Sequence, residues 1–194
     1  TAVLTDSQYD IIKSYFNNKY ANNPIVKEVG AEVRKNKVKL PYEMWSMDKI
    51  KPDTNALEKW CKKYKGPYVE SWKLNGVSGL FCTNHILPDI SNIPGNYLLT
   101  RGKAIYGQNI SHLIPYLKLP NIPNIAVRGE IIISKKLFKE HYSEQYANSL
   151  NMVAGLVNKD MIHDAFINYH IDFIAYEVIK PFNIKPTEQL TMLA

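Results

Sequence analysis

Lys73-Leu74-Asn75-Gly76 sets an amine beside a short, glycine-bearing turn. The run Tyr68-Val69-Glu70-Ser71-Trp72 precedes it and Val77-Ser78-Gly79 follows. The pattern predicts a strand that ends at Lys73, a polar turn, and a second strand over Val77 to Cys82. An ammonium is strongly hydrated and rarely buried, so a lysine closing an apolar strand has a partner or a task. Desolvation and nearby cations lower a lysine's pKa and yield neutral amine able to attack an electrophile. The plain alternative is a lysine that merely emerges where a strand stops. Three further groups follow: Thr100-Arg101-Gly102, Val127-Arg128-Gly129-Glu130, and Tyr176-Glu177 within Ile171 to Ile179. Alternation along Ile125 to Ile133 puts Arg128 and Glu130 on one face, opposite Val127 and Ile131. Two charges on one side of an otherwise apolar strand suggest a lined cavity; a local Arg128–Glu130 ion pair on an exposed face is the simpler reading.

These groups need elements to carry them. Thr5-Asp6-Ser7-Gln8 has the form of a capping box. Tyr9, Ile12, Tyr15, Phe16 and Tyr20 then recur at helical spacing, and Asn22-Asn23-Pro24 ends that helix. Residues 24–41 read as a linker entering a strand, with a basic stretch from Arg34 to Lys39. Asp53-Thr54 caps a helix whose Leu57, Trp60, Cys61 and Tyr64 share one face, read as a packing face. Asn84 to Asn96, with Pro88, Pro94 and Gly95, reads as a loop before the strand Tyr97 to Thr100. The β-branched run from Ile125 to Ile133 is a strong strand. Ser134 caps a helix over Lys135 to Tyr146, Ile171 to Ile179 is another strand, and Pro186 opens a last helix.

With 194 residues the chain is one large domain, or one domain with a small appendage. Its 45% hydrophobic content suffices for a core. No run is long enough for a membrane span and the N-terminus has no signal-peptide pattern, so no membrane partner is expected. Cys61 and Cys82 sit in no C-x-x-C or Cys/His array, which predicts a reducing compartment, core cysteines and no structural zinc. A net charge of +6 favours an anionic partner, nucleotide or nucleic acid.

In order and separation, the lysine, arginine, glutamate and tyrosine segments resemble the adenylation domain of NAD-dependent DNA ligases. Lys73-Leu74-Asn75-Gly76 is similar to that family's K-x-D-G motif, with Asn75 in place of the aspartate. The resemblance implies an α+β nucleotidyltransferase fold: antiparallel sheets with flanking helices around a nucleotide cleft, plus a small helical N-terminal arm. Residues 1–38 would be a partial NMN-binding segment and linker, because Asp6-Ser7-Gln8-Tyr9-Asp10 resembles the family's D-x-x-Y-D. Tyr9 offers a ring face to a cationic nicotinamide, while Asp6 and Asp10 offer acceptors. Residues 39–194 would be the adenylation domain without the family's later D-G-x-V-x-K motif. By the same resemblance Lys73 and Asn75 are catalytic. Ser46 and Met47 line the adenine pocket, and Ser71 contacts the nucleotide. Arg101 grips its ribose or phosphate side, Glu130 accepts from ribose hydroxyls or positions a cation, and Tyr176 stacks on adenine.

The departures are as specific as the matches. After Thr100-Arg101-Gly102 two acidic positions of the family are lost, though Gly102 and Gly107 remain. In Ala147 to Asn158, Asn148, Asn151 and Gly155 match, while Leu150 and Asn158 stand where the family has arginines. The implied reaction is attack of Lys73 on NAD, release of NMN and formation of lysyl-AMP with Mg²⁺, as the first step of sealing nicked double-stranded DNA. A monomer in an intracellular setting is expected, bacterial cytoplasm or a viral replication compartment. An ATP- or GTP-using RNA ligase or capping-type nucleotidyltransferase, a non-catalytic nucleotide- or nucleic-acid-binding module, and a plain structural domain are the alternatives.

Overall fold

The computed structural model describes residues 6–24, 33, 35–47, 49–50, 54–103, 105–159 and 170–194. The Thr5 cap, residues 25–32 and Arg34 of the 24–41 linker, and the Asp53 cap lie outside the described residues, as do the side chains of Asp6 and Asp10.

The centre is a four-stranded antiparallel sheet in the order β3-β2-β5-β6, built from β2 (Val77–Leu87), β3 (Ser91–Thr100), β5 (Ala126–Ile133) and β6 (Ile171–Lys180). A small antiparallel pair, β1 (Lys37–Lys39) with β4 (Tyr106–Gln108), lies beside it. Around these stand α1 (Asp6–Lys19), α2 (Ala56–Lys63), a 3₁₀ helix (Ser111–Tyr116), α3 (Lys135–His141), α4 (Ser149–Val157) and α5 (Pro186–Leu193). This is the expected mixture of helix and antiparallel sheet. Among the described residues, no helix is long and apolar enough to cross a membrane.

Alternation gives the sheet two different faces. On one, Phe81, Leu98, Val127, Ile131, Ile171 and Phe173 are buried under Met152, Val153, Leu156 and Val157 of α4, with Leu113 of the 3₁₀ helix completing the layer. Asn148 caps α4: its side-chain oxygen accepts from the Asn151 N–H at 2.8 Å, satisfying one otherwise orphaned donor. On the other face Leu80, Cys82, Leu99 and Ala126 form a second apolar cluster with Val38, Leu40 and Met44. Burial pushes the Cys82 thiol up to about 12, with Lys180 pulling it partly back. The second face is apolar only along part of its length.

Four expectations are corrected. Lys73 does not close a strand: residues 67–75 have no regular structure, and β2 starts only at Val77. The stretch from Asn84 to Asn96 is not a loop but most of a β2–β3 hairpin with two register shifts. Its Pro94 and Gly95 are tolerated because β3 is an edge strand, where a missing donor costs little. The apolar side of α2 is not a packing face. Nothing in that helix is buried, Leu57 and Tyr64 are exposed, and Cys61 is only partly covered. The helix opened by Ser134 ends at His141 instead of Tyr146.

Candidate active site

Glu130 ties the site together through its hydrogen bonds. It lies on β5 directly opposite Ser78 of β2. Its Oε1 accepts from the Gly76 N–H at 3.2 Å and its Oε2 from the Ser78 hydroxyl at 3.1 Å. The turn after the lysine motif is thus latched onto the carboxylate. Gly76 is required there: a Cβ at that position would collide with the Ile131 carbonyl and lie 2.7 Å from Ile132 Cγ2. Burial raises the Glu130 carboxyl above its ordinary range; Ser78, the Gly76 amide, and the charges of Lys73 and Arg101 pull it back. Two cations from different segments therefore face one half-buried acid.

Tyr176 reaches the same face through a defect in the sheet. Arg128 pairs with Glu177 across the ladder and Gly129 pairs with Ala175, which leaves Tyr176 as an extra residue in a β-bulge. Simple alternation would send Tyr176 and Glu177 to opposite faces. The bulge brings both to the polar one: Arg128 Nη1 meets Glu177 Oε2 at 2.7 Å, and Glu130, Arg128, Glu177 and Arg101 all act on the Tyr176 hydroxyl. Burial, followed by the Glu130 charge, raises that hydroxyl's pKa. The reading of a local Arg128–Glu130 ion pair is corrected here, since the partner of Arg128 is Glu177. A second shift skips Ile179, and the Val178 N–H beside it donates to Gln189 Oε1 of α5 at 2.8 Å.

The outer wall is residues 43–46, fastened at both ends by arginines from the sheet. Arg101, just past β3, donates to Ser46 Oγ at 3.0 Å. Arg128 donates through Nη2 to the Glu43 carbonyl, and Met44 between them is buried. The Arg128 Nε, also buried, has no partner among the described residues. Glu43, Met44, Trp45, Ser46, Arg101, Gly102 and Ile105 line a cleft of about 400 Å³. Gly107 permits the neighbouring strand to close up, because a Cβ there would strike the Thr100 carbonyl.

The structure therefore gathers Lys73, Arg101, Glu130, Tyr176 and Ser46 about one end of the sheet. Lys73, Asn75 and Ser71 are exposed on the irregular segment that leads into it. Met47 is exposed and is not among the residues lining the cleft. Tyr9 is exposed on α1, with Lys13 Nζ 5.7 Å from its ring centroid, and does not line the cleft either. Sequence reasoning missed Trp45 and Ser78, and gave Glu177 no role of its own. Ser78 follows from alternation once the β2–β5 register is known, but the bulge that brings in Glu177 has no local signal.

The chain is 41% identical to a DNA ligase of Acanthamoeba polyphaga mimivirus over an alignment covering 100% of it and 30% of that protein. Homologues of this chain are named DNA ligase. The Putative DNA ligase 205R of Invertebrate iridescent virus 6 is 34% identical, with 98% of the chain and 29% of the relative aligned. The DNA ligase of Treponema pallidum is 25% identical over 98% of the chain and 25% of its own length. The chain thus spans under a third of these ligases. No family model matches it.

Proposed function

We propose that this chain is the adenylating segment of an NAD-dependent DNA ligase. The observation that carries the reading is Glu130 latched to the turn after Lys73, with the Lys73 and Arg101 charges acting on it, beside Tyr176 and the cleft, in a chain whose homologues are named DNA ligase. In the proposed step Lys73 Nζ forms a bond to the α-phosphorus of NAD, the phosphorus–oxygen bond to NMN breaks, and NMN leaves with the electron pair. The amine's proton passes to solvent. Arg101 offers a rigid fork of donors to phosphate or ribose. Glu130, already accepting from Gly76 and Ser78, has lone pairs left for ribose hydroxyls. Tyr176 offers a ring to adenine, a contact worth about 1–3 kcal/mol. Such chemistry runs on positioning and charge neutralisation.

Among the described residues there is no cluster of three or more His, Cys, Asp or Glu. That donor set suits Mg²⁺ carried mainly by substrate phosphates, with Glu130 as the carboxylate at hand. Bound there, it would neutralise charge on the phosphates.

Intact-mass measurement after incubation with NAD and Mg²⁺ tests the reading. One added AMP is expected on the parent and none on Lys73→Ala; an adduct that persists in the variant excludes this nucleophile. ATP in place of NAD distinguishes the superfamily's other donors. A nucleotide-binding module without transfer is the second reading. Asn75 supplies no charge, and Asn158, which turns its Nδ2 back to the Ala154 carbonyl at 2.8 Å, is neutral where the family has a charged arginine. Nucleotide binding without any adduct would favour that module.

A further inference from the structure

The helix α2 and the segment that runs from it to Lys73 bury nothing of their own, yet they are built to hold a shape. Trp60 has its ring centroid 5.4 Å from that of Tyr64 and 5.0 Å from that of Tyr68. The Tyr68 hydroxyl donates to the Tyr64 carbonyl at 2.5 Å, tying the approach to Lys73 back onto the end of α2. Trp72, immediately before Lys73, is 92% exposed. Lys59, Lys62 and Lys63 stand at i, i+3 and i+4, sharing one side of the helix, and Lys65 follows; all four are exposed. Glu58, paired with Lys62 at 2.6 Å, and Glu70 are the acids of this stretch. A merely solvated helix face has no need of Leu57, Tyr64, Tyr68 and Trp72 in the open. A protein partner fits poorly, because interface cores are depleted of lysine. A polyanion fits both halves: lysines neutralise phosphates, and an exposed indole stacks on bases.

We propose that this surface docks the backbone of duplex DNA, with Lys59, Lys62, Lys63 and Lys65 on phosphates and Trp72 against an opened base at the DNA end. The inference rests on the ligase reading and names where that substrate approaches Lys73.

The test is fluorescence anisotropy of a labelled nicked duplex titrated with the full chain across about 50–200 mM salt. Parent, a quadruple K59Q/K62Q/K63Q/K65Q variant and Trp72→Ala are compared. The quadruple variant is expected to flatten the log–log salt slope by about 3 and to weaken binding at least about tenfold at the low-salt end. Trp72→Ala should weaken binding about fivefold with its slope unchanged. Because α2 has no buried residue and Lys65 and Trp72 are exposed, both variants should keep the parent's melting temperature. Equal binding and slope in parent and quadruple variant would overturn the proposal, as would a parent that prefers anionic vesicles or its own copies to the duplex. The AMP adduct at Lys73, read by mass on the same samples, should survive in both variants. A parent that forms no adduct but shows the lysine-dependent salt slope would sink the adenylation reading alone.

Discussion

The two faces of the central sheet share strands β2, β5 and β6 but are put to opposite uses. Under α4 and the 3₁₀ helix, Phe81, Leu98, Val127, Ile131 and Phe173 pack a layer of carbon. On the other side the same strands begin with an apolar patch of Leu80, Cys82 and Ala126, then give way to Arg128, Glu130, Ser78 and Glu177. A strand's period of 2 makes this possible: adjacent residues face different solvents, so stability and chemistry are set independently. The difference teaches that substitutions one position apart should have separable effects.

Breaking the apolar face should have the largest effect on folding. Leu156→Ala removes a fully buried side chain and should cost about 3 kcal/mol, read by denaturant unfolding, while the folded fraction still forms adduct. Loss of adduct in proportion beyond unfolding would show that the faces are coupled. Arg128→Met comes next. It unpins Glu43 and strands Glu177, whose side chain is 41% exposed, so the stability loss should be only about 1–2 kcal/mol. Adduct formation should fall much more than stability does, because residues 43–46 lose one of two fastenings.

Glu130→Gln sharpens the comparison through pH. The carboxyl is raised by burial, so its contribution to stability is fully present below the unfolded value and is lost as pH rises through the folded one. At neutral pH the ionised acid is therefore a burden on the fold. The glutamine variant should melt slightly above the parent at pH 7, with the gap closing as pH falls to about 4. A gap that widens on acidification would refute the sign. Asn75→Asp should have the smallest effect on stability, being exposed, and should raise the rate of adduct formation; an unchanged rate would show that the lost charge is not limiting.

Much of the sheet was legible in the sequence because β-branched alternation in Ile125 to Ile133 and Ile171 to Ile179 is a local signal. The positions of Arg101 and Glu130 followed from strand ends and faces. Other features were settled at a distance. Lys73 lies outside any strand, and the turn after it is held by the Gly76 N–H and the Ser78 hydroxyl, both donating to Glu130 more than fifty residues away. The β2–β3 hairpin hid behind Pro94 and Gly95, which the sheet's edge excuses. The aromatic residues of α2 imitate a packing stripe, and periodicity cannot distinguish a face that meets its own core from one left in the open.

The extra residue in β6 carries a consequence for how such a chain can change over generations. Removing Tyr176 alone would bring Ala175 and Glu177 into consecutive pairing with Gly129 and Arg128, the partners they already have. No neighbour on either side would need to turn over. The ring is therefore a detachable fitting: a single codon can be gained or lost at that place while the surrounding architecture keeps its count.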